Sequence, residues 1–88
     1  MVEKVYTITN DAGLHARPST VLVSTVTTFK SEILLEYKER KVNLKSIMGV
    51  MSLGIPKGAS VKVIVDGDDE LQAIASIDEV MKKEGLAL

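Results

Sequence analysis

The chain reads as an α+β protein, an open-faced β-sandwich in which three helices cover one face of a four-stranded antiparallel sheet, in the order βαββαβα. Three observations predict it. Turn signals at residues 10–13, 38–40, 54–58 and 66–69 cut the chain into short pieces. Within those pieces, four segments are rich in β-formers or alternate apolar with polar residues. Three further segments carry apolar residues at helical spacing. A sheet with one apolar face must be covered, and helices are the elements left to cover it.

Residues 2–9 (VEKVYTIT) predict the first strand, with Tyr6 and Ile8 on one face. Residues 16–29 (ARPSTVLVSTVTTF) present a conflict. Seven of the twelve residues 17–28 are Thr or Val, which favours a strand. Yet Leu22, Val26 and Phe29 recur at i, i+4, i+7 with Val23 beside them, and Pro18 suits a first helical turn. The periodicity predicts a helix.

Residues 32–37 (EILLEY) place Ile33, Leu35 and Tyr37 on one face, and residues 40–44 (RKVNL) pair back as a hairpin. Residues 46–53 (SIMGVMSL) predict a short helix capped by Ser46. Residues 60–66 (SVKVIVD) alternate Val61, Val63 and Val65 with Lys62, Ile64 and Asp66. The last helix spans 70–84, with Leu71, Ile74, Ile77 and Met81 as its stripe and Val80 widening it. Asp69 is its expected N-cap, with Gln72 three residues on, and Gly85 fits C′.

Composition excludes several classes. Eighty-eight residues predict one domain over 1–88. Hydrophobic residues at 45% and a net charge of −1 exclude disorder. Cysteine is absent, so disulfide scaffolds, iron–sulfur clusters and cysteine–zinc sites are excluded. One histidine, His15, excludes a multi-histidine zinc site within the chain. Eleven basic against twelve acidic residues, with only Tyr6, Phe29 and Tyr37 aromatic, argue against direct nucleic-acid binding. The start MVEKVYTITN does not resemble a signal peptide, and no apolar run approaches the ~20 residues of a membrane span. A cytoplasmic location is expected. No Gly-rich nucleotide loop is present, and no cofactor is expected.

The sharpest local feature is Gly13-Leu14-His15-Ala16-Arg17-Pro18. Glycine permits a tight turn and Pro18 marks a helix start, which puts His15 near a helix N-terminus. Free N–H groups and roughly half a positive charge make such an end favourable to anions. Arg17 adds a guanidinium that can take two phosphate oxygens. Neutral imidazole is a good nucleophile, and its ordinary pKa of ~6.5 leaves much of it neutral near pH 7. These are the parts a reversible phosphohistidine requires. The same pattern also suits a solvated or capping histidine, and these residues alone leave both readings open.

Ser46 raises a second choice. As a cap it contributes ~1 kcal/mol. A phosphoserine there would add roughly −1.5 to −2 charges at a helix end that tolerates them. Ile47, Met48 and Met51 can pack inward as core, the commoner outcome, or form an adaptable docking patch.

GLHARPSTVLV followed by VNLKSIMGVMSLGIPKG resembles the HPr family, the histidine-containing phosphocarriers of the phosphoenolpyruvate-dependent sugar phosphotransferase system. The likeness runs the length of the chain, including LEY before the hairpin and the KEGLA ending, and is closest to the low-GC Gram-positive type. It implies that His15 accepts phosphate on Nδ1 from enzyme I and passes it to sugar-specific IIA domains. Arg17 and nearby amides would hold the phosphoryl group. Ser46 would be the target of an ATP-dependent HPr kinase/phosphorylase, its phosphorylated form acting as corepressor with the catabolite control protein CcpA. Leu14, Thr20, Ile47, Met48 and Met51 would face these partners, and the carrier would be a monomer rather than a self-sufficient enzyme.

The chain departs from the family pattern in three places. Ala12 replaces a frequent hydroxyl residue, Ser24, Thr27 and Thr28 leave only Lys30 as a base late on the first helix, and the 38–40 turn lacks Asn-Gly. The rivals are a regulatory paralogue that binds a transcription factor, a nitrogen-branch carrier and an RNA-binding split-βαβ module. The first would lack His15, the second the LKSIMGVM context, and the third needs more surface aromatics than three.

Overall fold

Alternation along the strands fixes one dry face. The computed structural model describes residues 1–11 and 16–87, with the backbone alone for residues 16–18. Its elements are β1 (Val2–Thr7), α1 (Ala16–Val26), β2 (Glu32–Tyr37), β3 (Arg40–Asn43), α2 (Ile47–Ser52), β4 (Ser60–Asp66) and α3 (Glu70–Lys83). The predicted order βαββαβα is the one found. The strands form one antiparallel sheet in the order β1-β4-β2-β3. Registers Tyr6↔Val61, Ile33↔Val65 and Leu35↔Val63 line these side chains up on one face, and all six are buried. Leu22 and Val26 of α1, Val50 of α2 and Ile77 of α3 complete the core over it. Each large side chain so buried contributes about 1.5–3 kcal/mol.

The outer face is not uniformly polar. Ile64 alternates outward with Lys62 and Asp66, as the pattern predicts, yet it is buried, flanked in register by Glu3 and Leu34. Around it Lys62 pairs with Glu3 at 3.7 Å and Lys41 with Glu36 at 3.8 Å.

The β2–β3 connection has only Lys38 and Glu39 between the paired residues Tyr37 and Arg40. Both have positive φ, 50° and 66°. That is the type I′ geometry that matches strand twist. Without Asn-Gly, left-handed backbone costs about 1–2 kcal/mol per residue. The hairpin's pairing overrides this local preference.

Helix α1 exists but stops at Val26, short of the expected end at residue 29. The cause is its hydroxyl side chains. Thr27 Oγ1 donates to the Ser24 carbonyl at 2.9 Å and Thr28 Oγ1 to that of Thr25 at 2.8 Å, competing for the helix's own acceptors. Phe29 still packs against the core from beyond the helix end, and Lys45 Nζ caps its carbonyl at 2.7 Å.

Two expectations about α3 need correction. Leu71 is 69% exposed, not part of the apolar stripe. The buried line is Ala73, Ile77 and Met81, and Leu71 lies about 200° around the helix from Ala73. Asp69 stands at the N-cap but makes no side-chain cap bond. Its carboxylate instead accepts from the amides of Lys30 (2.8 Å) and Ser31 (3.0 Å) and from the Ser31 hydroxyl. Three donors from the start of β2 outcompete one from its own helix. These bonds, the Ser31 hydroxyl foremost, hold Asp69 below the usual carboxylate pKa. Gly67 makes room for the clasp: a Cβ there would sit 2.5–2.8 Å from Ser31.

The C-terminal end of α3 follows its sequence signal. Gly85 is at φ 63° and donates to the Lys82 carbonyl, while Leu86 donates to that of Met81 at 2.9 Å. This is a Schellman motif, and the buried Leu86 supplies its apolar contact.

Candidate functional site

Two elements carry the candidate residues, and they pack against each other. Helix α1 begins at Ala16, the residue after His15 in the chain, and touches both α2 and α3. Its apolar residues Leu22 and Val26 seat it on the sheet. The first-turn N–H groups, which a helix cannot pair within itself, therefore belong to the end that the GLHARP motif leads into. His15, Leu14 and Ala12 lie outside the described residues. Arg17 is in the first turn of α1, with its backbone alone described. Thr20 is exposed on the same helix.

Ser46 is the N-cap of α2, as its position before SIMGVMS predicts. Its extended backbone turns the side chain back, and Oγ accepts from the Gly49 amide at 3.1 Å. Gly49 suits this approach, because a Cβ would lie 3.3 Å from that oxygen. With only six residues, α2 anchors through Val50, while Leu53 is buried just after it. The other apolar residues remain outside: Met48 is 81% exposed, Met51 43%, and Ile47 is half-buried. Core packing of the two methionines, the commoner expectation from the residues, is not what forms. An adaptable apolar surface stands on α2 beside α1.

One ion pair near this end was invisible in the sequence. Lys57 Nζ donates to Asp11 Oδ1 at 2.7 Å. The hydrogen bond between them raises the Lys57 pKa and lowers that of Asp11. The partners are 46 positions apart, and no local spacing signals the contact.

On the far side of the core, Asp78 of α3 gathers charges. Lys4 pairs with it, Lys82 lies at 3.0 Å, and the Tyr6 hydroxyl donates at 3.2 Å. The Lys4 contact, then that of Lys82, lowers the Asp78 pKa to about 2. Desolvation, aided by Asp78, raises that of Tyr6 and keeps the phenol neutral. This cluster ties β1 to α3. Among the described residues, no group of three or more His, Cys, Asp or Glu could hold a metal ion, and no helix is long and apolar enough to cross a membrane.

Comparison with known proteins bears on the site. A family model described as the phosphorylation site of the phosphotransferase-system HPr component matches residues 2–83. The fold is similar to that of the histidine-containing phosphocarrier protein of Mycoplasma, with a TM-score of 0.95, 38% identity and 98% of each chain covered. It is similar to HPr from Thermoanaerobacter tengcongensis at a TM-score of 0.91 and 44% identity, covering 96% of this chain and 94% of that one. It is also similar to Crh, a catabolite repression protein of Bacillus subtilis seen as a domain-swapped dimer, at a TM-score of 0.74 and 37% identity over 96% and 97% of the two chains. The match along residues 2–83 and the shared fold show that the chain belongs to the HPr family of phosphocarrier proteins.

Proposed function

We propose that the chain carries a phosphoryl group on His15, taking it from enzyme I and giving it to sugar-specific IIA domains. The observation that supports this best is the start of α1 at Ala16. It sets a helix N-terminus directly after the histidine, where amides and a positive dipole end favour an anion. In the forward step the Nδ1 lone pair of His15 bonds to phosphorus as the bond to enzyme I breaks. Transfer to a IIA domain reverses this, so the imidazole is regenerated each cycle. Arg17, in the first turn, neutralises phosphoryl oxygens. Leu14, Thr20, Ile47, Met48 and Met51 form the docking surface, and the exposure of the two methionines supports that role. The carrier acts as a cytoplasmic monomer and does not catalyse turnover by itself.

Incubation with phosphoenolpyruvate and enzyme I is expected to give an acid-labile, base-stable phosphoprotein, and His15→Ala to abolish it. Equal labelling of His15→Ala would overturn the assignment.

Regulation enters through Ser46. A kinase using ATP would place an acid-stable phosphate there. Its Oγ already faces the Gly49 amide at 3.1 Å, so the added charge sits on the favourable end of α2 and leaves the fold intact. The product would bind CcpA and accept phosphate poorly from enzyme I. Ser46→Asp should slow that transfer by repulsion, and an unchanged rate would count against the charge mechanism. The likeness to Crh favours a second reading, a regulatory paralogue that carries no phosphate. The presence of His15 weighs against it, and the labelling experiment separates the two.

A further inference from the structure

Methionine carries all the sulfur in the chain, because cysteine is absent, and burial sorts the four methionines into distinct classes. Met81 is 0% exposed and belongs to the core. Met48 is 81% exposed and Met51 43%, three positions apart on α2 and so neighbours on its surface. Met1 is also exposed, but it precedes β1, whereas α2 packs beside β3, and these two strands are opposite edges of the sheet. Other residues hold α2 in place. Val50 is buried within it, Leu53 is buried just after it, and Ser46 caps it through the Gly49 amide. Chemistry at Met48 and Met51 therefore changes a surface and leaves the packing as it was.

We propose that Met48 and Met51 form a reversible oxidation site, at which a peroxide converts the thioethers to sulfoxides and weakens docking to enzyme I. The effect on docking rests on the reading of this chain as a phosphocarrier whose α2 surface meets that partner. In the step, a sulfur lone pair attacks one oxygen of the peroxide. The S–O bond forms as the O–O bond breaks, and the departing hydroxide takes up the proton left on the transferred oxygen to give water. Sulfur is oxidised by two electrons and the peroxide is reduced by two. A sulfoxide reductase, drawing on thiols, reverses the change. Because the peroxide must touch sulfur, exposure orders the sites as Met48, then Met51, with Met81 protected. Oxidation turns a flexible apolar side chain into a polar one. A partner surface shaped to take a thioether would then have to bury the new oxygen, which costs affinity where no donor meets it.

The experiment treats the whole chain with hydrogen peroxide, removes the peroxide, and measures phosphoryl transfer from phosphoenolpyruvate through untreated enzyme I. Peptide mass mapping should show one added oxygen on Met48 and one on Met51, with Met81 unmodified. The KM for the carrier should rise about 5- to 30-fold, the loss expected from one or two strong interface contacts. The rate at saturating carrier and the melting temperature should not change. Sulfoxide reductases acting on both epimers should restore the original KM. Met48→Leu/Met51→Leu, which retains Met1 and Met81, should behave alike in its own untreated and treated forms. Oxidation of Met81 ahead of Met48, an unchanged KM once both surface methionines are oxidised, or an equal rise in KM for the treated Leu variant would each overturn the switch. So would a loss of transfer that tracks a lower melting temperature. Failure of the untreated wild type to label on His15 would overturn the phosphocarrier reading and the switch with it. Labelling of the untreated wild type with any of the former results overturns the switch alone.

Discussion

Met81 in α3 is fully buried between helix and sheet, whereas Met48 in α2 is 81% exposed and Met51 43%. Both helices offered methionines among branched aliphatics at helical spacing. The difference lies in what each helix rests on. Helix α3 has fourteen residues and packs on α1, β1 and β4. Helix α2 has six and packs on α1 and the edge strand β3. A short helix at an edge has too little sheet beneath it to cover its apolar positions. Their capping residues differ as well. Ser46 bonds its own helix, while Asp69 abandons its helix to clasp the start of β2. In this protein, α3 is a structural wall and α2 a surface platform.

The strongest way to break that contrast is truncation of the methionines. Met81→Ala should cost about 2–5 kcal/mol, since it leaves a cavity in the dry core. Met48→Ala should stay within about 0.5 kcal/mol of wild type while weakening partner binding. Urea unfolding measures the first quantity and titration with enzyme I the second. Equal stability losses would show that α2 belongs to the core after all.

The caps provide a second comparison. Ser46→Ala should cost about 1 kcal/mol, the usual value for a lost cap. Asp69→Ala should cost more, because it frees three donors near β2 rather than one in a helix. A smaller loss at Asp69 than at Ser46 would show that the clasp adds nothing beyond a local cap.

Acid gives the smallest effect. Asp78 has a folded pKa of about 2 against an ordinary 3.8, so its folded form binds protons less readily than the unfolded one. The stability it adds is complete above pH ~4 and is lost as pH falls towards 2. The full shift corresponds to about 2 kcal/mol, and exposure of the partner lysines reduces this to about 1 kcal/mol. Asp78→Asn should lose that amount at pH 7 and show a flatter decline between pH 4 and 2. An unchanged acid limb would assign the sensitivity to other carboxylates.

The sequence made legible whatever depended on neighbours within a few positions. Strand alternation, the Ser46 cap and the Gly85 terminator all appeared as read, because each is settled by bonds spanning two to five residues. Asp69 looked like a cap because its competitors, Lys30 and Ser31, are remote in the chain. The same distance concealed the Asp11–Lys57 pair. Leu71 fitted the stripe on spacing, but spacing cannot say how far along α3 the sheet extends. The residues of the His15 motif leave two readings open and the family resemblance chooses between them; the structure contributes the start of α1 directly after His15.

The sheet order has a consequence for how the chain acquires its shape. Strand β1 emerges first from the ribosome, yet its strand partner is β4, in the register Thr7↔Ser60. Strand β2 also waits for β4, with only the β2–β3 hairpin able to close locally. Nascent β1 must therefore remain unpaired until β4 has been made, and the Ile8–Ala87 bridge closes later still, once Ala87 has been made. A sheet whose central strand is made last folds as a late, concerted event, slower than a helical bundle of this size. The exposed charges of Glu3 and Lys4 on the waiting strand discourage it from pairing with another chain in the interval.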